Sequence, residues 1–438
     1  MTIRLSWLVA ASSAALLSAC ATAAPPPPAP LPEPLPAASP QPKAQVGTFG
    51  FDVSGMDRTV SPGDDFFRYA VGQWVDRTEI PADRSNLTSF AIISEIAAQR
   101  TRAIIEDSAK ANGPEGSEAR KIGDYFASFM DEARIEQLGA APLKPELDAI
   151  AGIKTRKDLS RALGASVRAD TDALNATNFY TERPFGIWIA EDLNDTSRYR
   201  PYLMQGGLGM PDREYYLGDS PRYVELRAKY VAHIAAMLKL AGYADVEARA
   251  KRVMALETAI AKTHVSVDES ADVTKSNTVW TRAELPTKAP GIDWDAFLTA
   301  AGLADQPRFG AWQASAIAGM SKLAGSQPIQ AWRDYLAFHT VERGAPYLSQ
   351  PFVAEHFAFN GQALSGTPQL RERWKRGVDF TSNALGEAIG KLYVERHFPP
   401  QAKAQAQEMA ENVLKAFGQR IERIDWMSPQ TKARAKAK

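Results

Sequence analysis

Five histidines, His233, His264, His339, His356 and His397, carry all the imidazole the chain offers. A hydrolytic zinc site needs three protein ligands around an open position and a base for the bound water. His-Glu-x-x-His meets that need because positions i and i+4 share one helical face. No two histidines here have that spacing. Glu355-His356 could end the inverted form, but its partner position is Phe352. Each histidine is isolated in sequence, and such a residue is by default packed or solvated rather than a ligand. No Gly-x-Ser-x-Gly elbow, phosphate-binding loop or dinucleotide fingerprint is present. Acidic pairs such as Asp64-Asp65 and Glu191-Asp192 leave a paired-carboxylate hydrolase open, although such pairs are usually solvated. The residues themselves therefore nominate no catalytic group and no metal ligand.

The single cysteine, Cys20, excludes an internal disulfide or a cysteine nucleophile from the folded part. It closes an export leader over residues 1–19, in which Arg4 precedes an apolar run, Leu5 to Leu17, too short to span a bilayer. Leu17-Ser18-Ala19-Cys20 resembles the bacterial lipoprotein box, whose cysteine is acylated; a plain signal peptide cut near Ala21 to Ala24 is the alternative. Cys20 is thus the expected lipid attachment point. Ala21 after it favours the outer membrane and an exported, periplasm-facing protein. Residues 20–46 are rich in Pro and Ala; proline fixes φ and removes a backbone donor, so they should form an extended tether.

Beyond the tether, residues 47–438 must supply whatever positions a site. Of the 438 residues, 45% are hydrophobic and 23% charged, enough for a large core, while 51 basic and 51 acidic side chains cancel. Bulk charge therefore selects neither nucleic acid nor an anionic surface. Apolar periodicity predicts helices over 97–110, 117–130, 222–242 and 403–424, with Gly242 ending the third. Their stripes, Tyr223 to Leu238 in one and Met409 to Ile424 in another, are expected to be core. A strand is expected over 185–190. Ser428-Pro429 reads as a helix start, yet Gln430 to Lys438 has no apolar face, the pattern expected of a chain cut inside a helix. The fold class is mainly α, a large multi-helix lobe with a few short strands.

Several ordered segments add a resemblance. Gly63-Asp64-Asp65-Phe66-Phe67-Arg68-Tyr69-Ala70-Val71-Gly72-Gln73-Trp74 with Ile80-Pro81 is similar to the opening motif of the neprilysin and endothelin-converting-enzyme family of zinc metallopeptidases. Gln205-Gly206-Gly207-Leu208-Gly209-Met210-Pro211-Asp212-Arg213-Glu214-Tyr215-Tyr216-Leu217 resembles its glycine-rich segment. Ala289 to Trp294, Arg373 to Arg376, Leu392 to Val394, and Asp425 to Met427 with Thr431-Lys432 follow in order. The similarity runs from about residue 50 to the end.

The resemblance implies the N-terminal, mainly helical domain of a zinc metalloendopeptidase of oligopeptides, lidding a closed chamber. In that family the zinc ligands and catalytic groups lie in a domain beyond the segments matched here. This chain alone is then expected to bind no zinc and to be inactive without its catalytic domain, whose zinc would activate the attacking water. Phe66, Phe67, Tyr69 and Trp74 offer area for a lobe interface, and Arg213 with Asp212 should tie down a loop. Where mammalian neprilysin has an arginine that meets a substrate's free carboxylate, Asn86 stands here, with Arg84 the other candidate; both are expected to line the substrate chamber. A neutral amide cannot make the bidentate clamp of an arginine. The competing reading is a non-catalytic lipoprotein that binds peptides or a partner.

Overall fold

A computed structural model describes residues 52–169 and 181–437. The leader, Cys20 and the whole of the tether lie outside the described residues. The chain divides into two compact units, the first ending at Glu79 and the second beginning at Ile80.

In the first unit, Asp65 starts the Phe66–Arg77 helix by accepting a 2.8 Å hydrogen bond from Arg68 N, a cap that contributes about 1 kcal/mol. Phe66 and Phe67 on that helix are exposed, while Tyr69 and Trp74 are half-buried.

The second unit is mainly α, as expected. Its main core gathers the Pro221–Leu240, Val246–Thr263 and Ile329–Gly344 helices against a small sheet. Strands β1 (Phe185–Asp192), β2 (Asp195–Gln205), β3 (Thr278–Thr281) and β4 (Arg308–Ala311) stand in the order β1-β2-β4-β3. β1 and β2 form an antiparallel hairpin with Phe185 opposite Gln205, β2 runs parallel to β4, and β3 is antiparallel to β4. Only β1 was announced by an apolar run; β3 and β4 have four residues each, too few for a period to show. A smaller core joins the Ser89–Ala111, Glu118–Met130 and Arg373–His397 helices through Ile105, Ile122, Val378 and Ile389.

The expected helices are present, and two run longer than their periodicity: Ser89–Ala111 and Pro400–Arg423. Gly242 has φ +83°, the left-handed conformation a helix end requires. In the 221–240 helix the stripe Leu226, Tyr230, Ile234, Met237 and Leu238 is buried, as its spacing demands.

The stripe of the Pro400–Arg423 helix corrects the expectation of a core position. Met409, Val413, Leu414 and Phe417 are 49–70% exposed, and the helix has no buried residue. Periodicity reports that a helix has an apolar side, not which element covers it. Ser428 caps the Pro429–Ala437 helix by accepting from Thr431 N at 3.2 Å, and Lys432 Nζ donates to Glu422 O at 2.8 Å, fastening it to the preceding helix.

Candidate functional site

The sequence offered isolated histidines; the fold gathers three of them with three carboxylates. Tyr230 and His233 lie one turn apart on the inner face of the 221–240 helix, and His339 and Glu342 do so on the 329–344 helix. Glu257 enters from the 246–263 helix, completely buried between Val253, Leu256 and Ile260.

Glu257 organises the first cluster. It accepts from Tyr216 Oη at 2.5 Å, from Tyr230 Oη at 3.0 Å, and from Gly209 N at 3.3 Å, with His339 Nε2 at 2.9 Å. Tyr216 Oη in turn accepts from Met210 N at 2.9 Å. The carboxylate therefore ties the glycine-rich segment to three helices. Burial, then the charge of Glu257, pushes the Tyr230 phenol well above its ordinary value, so it remains a donor. Gly207 has φ +90°, and a Cβ there would stand 2.8 Å from Tyr335 Oη and 2.9 Å from Pro184 Cα. Only glycine fits that turn.

Glu342 organises the second. Its oxygens lie 3.0 Å from His233 Nε2 and 2.8 Å from His356 Nδ1, and it accepts from Asn360 Nδ2 at 2.7 Å. Glu355 lies 2.9 Å from the other nitrogen of His233. Burial opposes charge on His233, but the flanking carboxylates outweigh it and raise its pKa to about 9. Burial likewise opposes charge on Glu342, yet His233 and His356 hold its carboxyl well below the usual range. The ring of Phe359, in the π-helical Phe357–Leu364 turn, stacks on His233 at 4.8 Å.

His233 thus has both ring nitrogens engaged by carboxylates, and Glu342 is shared by two imidazoles and an amide. Among the described residues no group of three or more His, Cys, Asp or Glu side chains is arranged to hold a metal ion. As they stand the clusters are hydrogen-bonded braces. His264 is separate: Nε2 lies 3.0 Å from Gly206 O, and burial drives its pKa to about 4, leaving the ring neutral. His397 sits near Tyr393, 4.9 Å between ring centroids, apart from both clusters.

Arg84 and Asn86 lie on the loop leading into the Ser89–Ala111 helix. Arg84 is committed to carboxylates, with Nε 3.4 Å from Asp83 and Nη2 3.1 Å from Glu95. Lys375 joins them, 2.9 Å from Glu95 and 3.4 Å from Asp83. Asn86 is exposed. Asp212 accepts from Glu214 N at 2.7 Å within its loop; Arg213 Nε is buried without a hydrogen-bond partner and stands 3.9 Å from the Glu214 carboxylate.

The mainly helical fold with its small sheet resembles that of solved zinc metalloproteases. Zinc metalloprotease Zmp1 of Mycobacterium tuberculosis, in complex with an inhibitor, matches with a TM-score of 0.79 and 34% identity, over 89% of this chain and 57% of that one. PepO of Lactobacillus rhamnosis, at 19% identity and a TM-score of 0.67, shares the fold. Human endothelin-converting enzyme-like 1 is 28% identical over 407 residues, and human endothelin-converting enzyme 1 is 27% identical over 395. The N-terminal model of Peptidase family M13 matches residues 62–438, and the chain belongs to that family, the neprilysin family of metallopeptidases. It spans about half the length of the curated relatives it matches, 52% and 50% of those two.

Proposed function

We propose that this chain forms the helical, substrate-screening lobe of a bacterial, membrane-anchored zinc metalloendopeptidase that hydrolyses oligopeptides. The observation that carries the reading is the exposed stripe Met409, Val413, Leu414 and Phe417, with Trp426 beside it in sequence. A contiguous apolar helix face in water is costly and marks a surface for a partner. The partner proposed is a zinc-bearing catalytic domain of the same protein, and the matched half of the relatives' length supports that choice. Zinc belongs to that domain in this reading, so no step through the metal is assigned to residues described here.

The lobe contributes shape and selection. Arg84 is already paired, and Asn86 offers a neutral amide, so a substrate's free carboxylate meets no arginine clamp from this loop. Cleavage inside oligopeptides, rather than release of C-terminal dipeptides, follows. Acylation of Cys20 would hold the protein at the outer membrane, facing the periplasm.

The test is a peptide assay on the chain joined to its catalytic domain. Chelator-sensitive cleavage of oligopeptides is expected, with peptides carrying amidated and free C-termini cut at similar kcat/KM. Lack of such cleavage, or strong preference for the free carboxylate, would refute the proposal. Cys20→Ser should release the protein from the membrane fraction; unchanged fractionation would contradict the anchor.

A further inference from the structure

A buried guanidinium nitrogen without a hydrogen-bond partner, Nε of Arg213, points to a binding site. Arg213 lines a cavity of about 150 Å³ between the glycine-rich segment and the Val267–Ala271 helix. We propose that this cavity binds a small carboxylate anion with a short apolar chain.

Size sets the first limit. A cavity of this volume matches an engineered one that takes up benzene, so it admits a ligand of about six to eight non-hydrogen atoms. Leu208, Val265, Val267 and Ala271 make much of the wall apolar. The polar wall is largely self-satisfied. Gln205 donates to Val265 O and Ser270 Oγ, both at 3.3 Å, and accepts from Val265 N at 2.9 Å. His264, neutral, spends Nε2 on Gly206 O. These groups recruit little further polarity, which favours an apolar tail.

Charge sets the second limit. Among the described lining residues, Arg213 is the only permanent cation. Its side chain is 31% exposed, but Nε is buried without a hydrogen-bond partner; the nearby Glu214 carboxylate makes only a long ion pair with it, at 3.9 Å, beyond hydrogen-bond reach. A buried donor without an acceptor is unfavourable. A carboxylate accepting from the planar guanidinium fork relieves that cost. Asp212 also lines the cavity, with one oxygen taken by Glu214 N. Its negative charge disfavours a dianion, so a monocarboxylate is selected. If the ligand is a free amino acid, Asp212 also offers its ammonium group a partner; if it is a short fatty acid, it does not.

The experiment titrates the full chain with isovalerate, valine and the neutral isostere isovaleramide, read by nuclear magnetic resonance shifts and by thermal melting. Saturable binding of isovalerate or valine at about millimolar affinity is expected, with isovaleramide at least about tenfold weaker. Tighter binding of valine identifies an amino acid; tighter binding of isovalerate, a fatty acid. Arg213→Gln should weaken binding at least about tenfold and Arg213→Lys less. Val267→Trp, at an exposed lining position, should block entry without touching the charge. The proposal is overturned if neither acid binds saturably, if the amide binds as well as the acids, or if a folded Arg213→Gln or Val267→Trp protein binds as the parent does.

Discussion

His339 Nε2 stands 2.9 Å from Glu257 Oε1, and one turn along the same helix Glu342 stands 3.0 Å from His233 Nε2. Through these two contacts the 329–344 helix is bound to both of its long neighbours. The first contact also reaches the glycine-rich segment, because Glu257 holds Gly209 N and the hydroxyl of Tyr216. The glycine-rich segment is therefore held by one buried carboxylate.

Removing that carboxylate should be expensive. Glu257→Ala strands two hydroxyls, an imidazole and a backbone N–H in the core, and breaking a buried network of this kind costs about 3–5 kcal/mol. Glu257→Gln, which keeps the shape and one acceptor, should cost less. Urea unfolding measures both; a loss under about 1 kcal/mol for the alanine variant would show that Glu257 is not the brace described.

The second cluster gives a pH dependence of definite sign. His233, with its folded pKa raised to about 9, contributes fully below its ordinary value of 6.5. Between the two values the folded protein keeps a proton that the unfolded chain releases, so stability falls as pH rises, by up to about 3 kcal/mol from this group. Glu342 acts at the other end: its contribution is present above its ordinary value of 4.5 and fades as pH drops below it. Unfolding free energies at successive pH values should show the alkaline decline in the parent and a flatter profile in His233→Gln. Equal slopes in the two proteins would contradict the assignment.

Two glycines with left-handed φ separate strain from crowding. Gly242, φ +83°, has open space where a Cβ would go, whereas Gly207, φ +90°, faces Tyr335 and Pro184. Gly242→Ala should cost about 1 kcal/mol. Gly207→Ala adds the steric term and should exceed about 3 kcal/mol. Thermal unfolding of the pair is decisive if the two shifts are the same, since close approach would then have no role at Gly207.

The exposed stripe predicts stickiness without instability. Leu414→Lys and Phe417→Lys, at positions 70% and 63% exposed, should change the unfolding free energy by less than about 0.5 kcal/mol. The same substitutions should reduce binding of a hydrophobic dye and self-association of the isolated chain. Destabilisation by more than about 2 kcal/mol would mean that the stripe is packed after all.

What could be read beforehand follows from the range of each signal. Four long helices, Ser89–Ala111, Glu118–Met130, Pro221–Leu240 and Pro400–Arg423, declared themselves because a 3.6-residue period repeats several times, whereas Val246–Thr263, Ile329–Gly344 and Arg373–His397, of similar length, were not read from the sequence; Ser117, Ser220 and Ser428 stand at helix starts as their chemistry requires. Strands β3 and β4 are set by partners far away in sequence, Gly310 meeting both Tyr202 and Val279, and no local pattern announces that. The clusters were hidden for the same reason: His233 and Glu342 are 109 positions apart. One clue was available, since Glu257 interrupts the apolar run Val253, Leu256, Ile260, and a charge inside such a stripe calls for buried partners.

In the function proposed above, these residues build the helical lobe of an M13 peptidase and its catalytic domain holds the water-activating metal. Zinc analysis of the purified 438-residue chain after dialysis, run beside the same chain joined to its catalytic domain, tests it most directly. Substoichiometric zinc and no peptide cleavage are expected in the first, and one zinc per chain with cleavage in the second. One tightly bound zinc and peptide turnover in the 438 residues alone would contradict it.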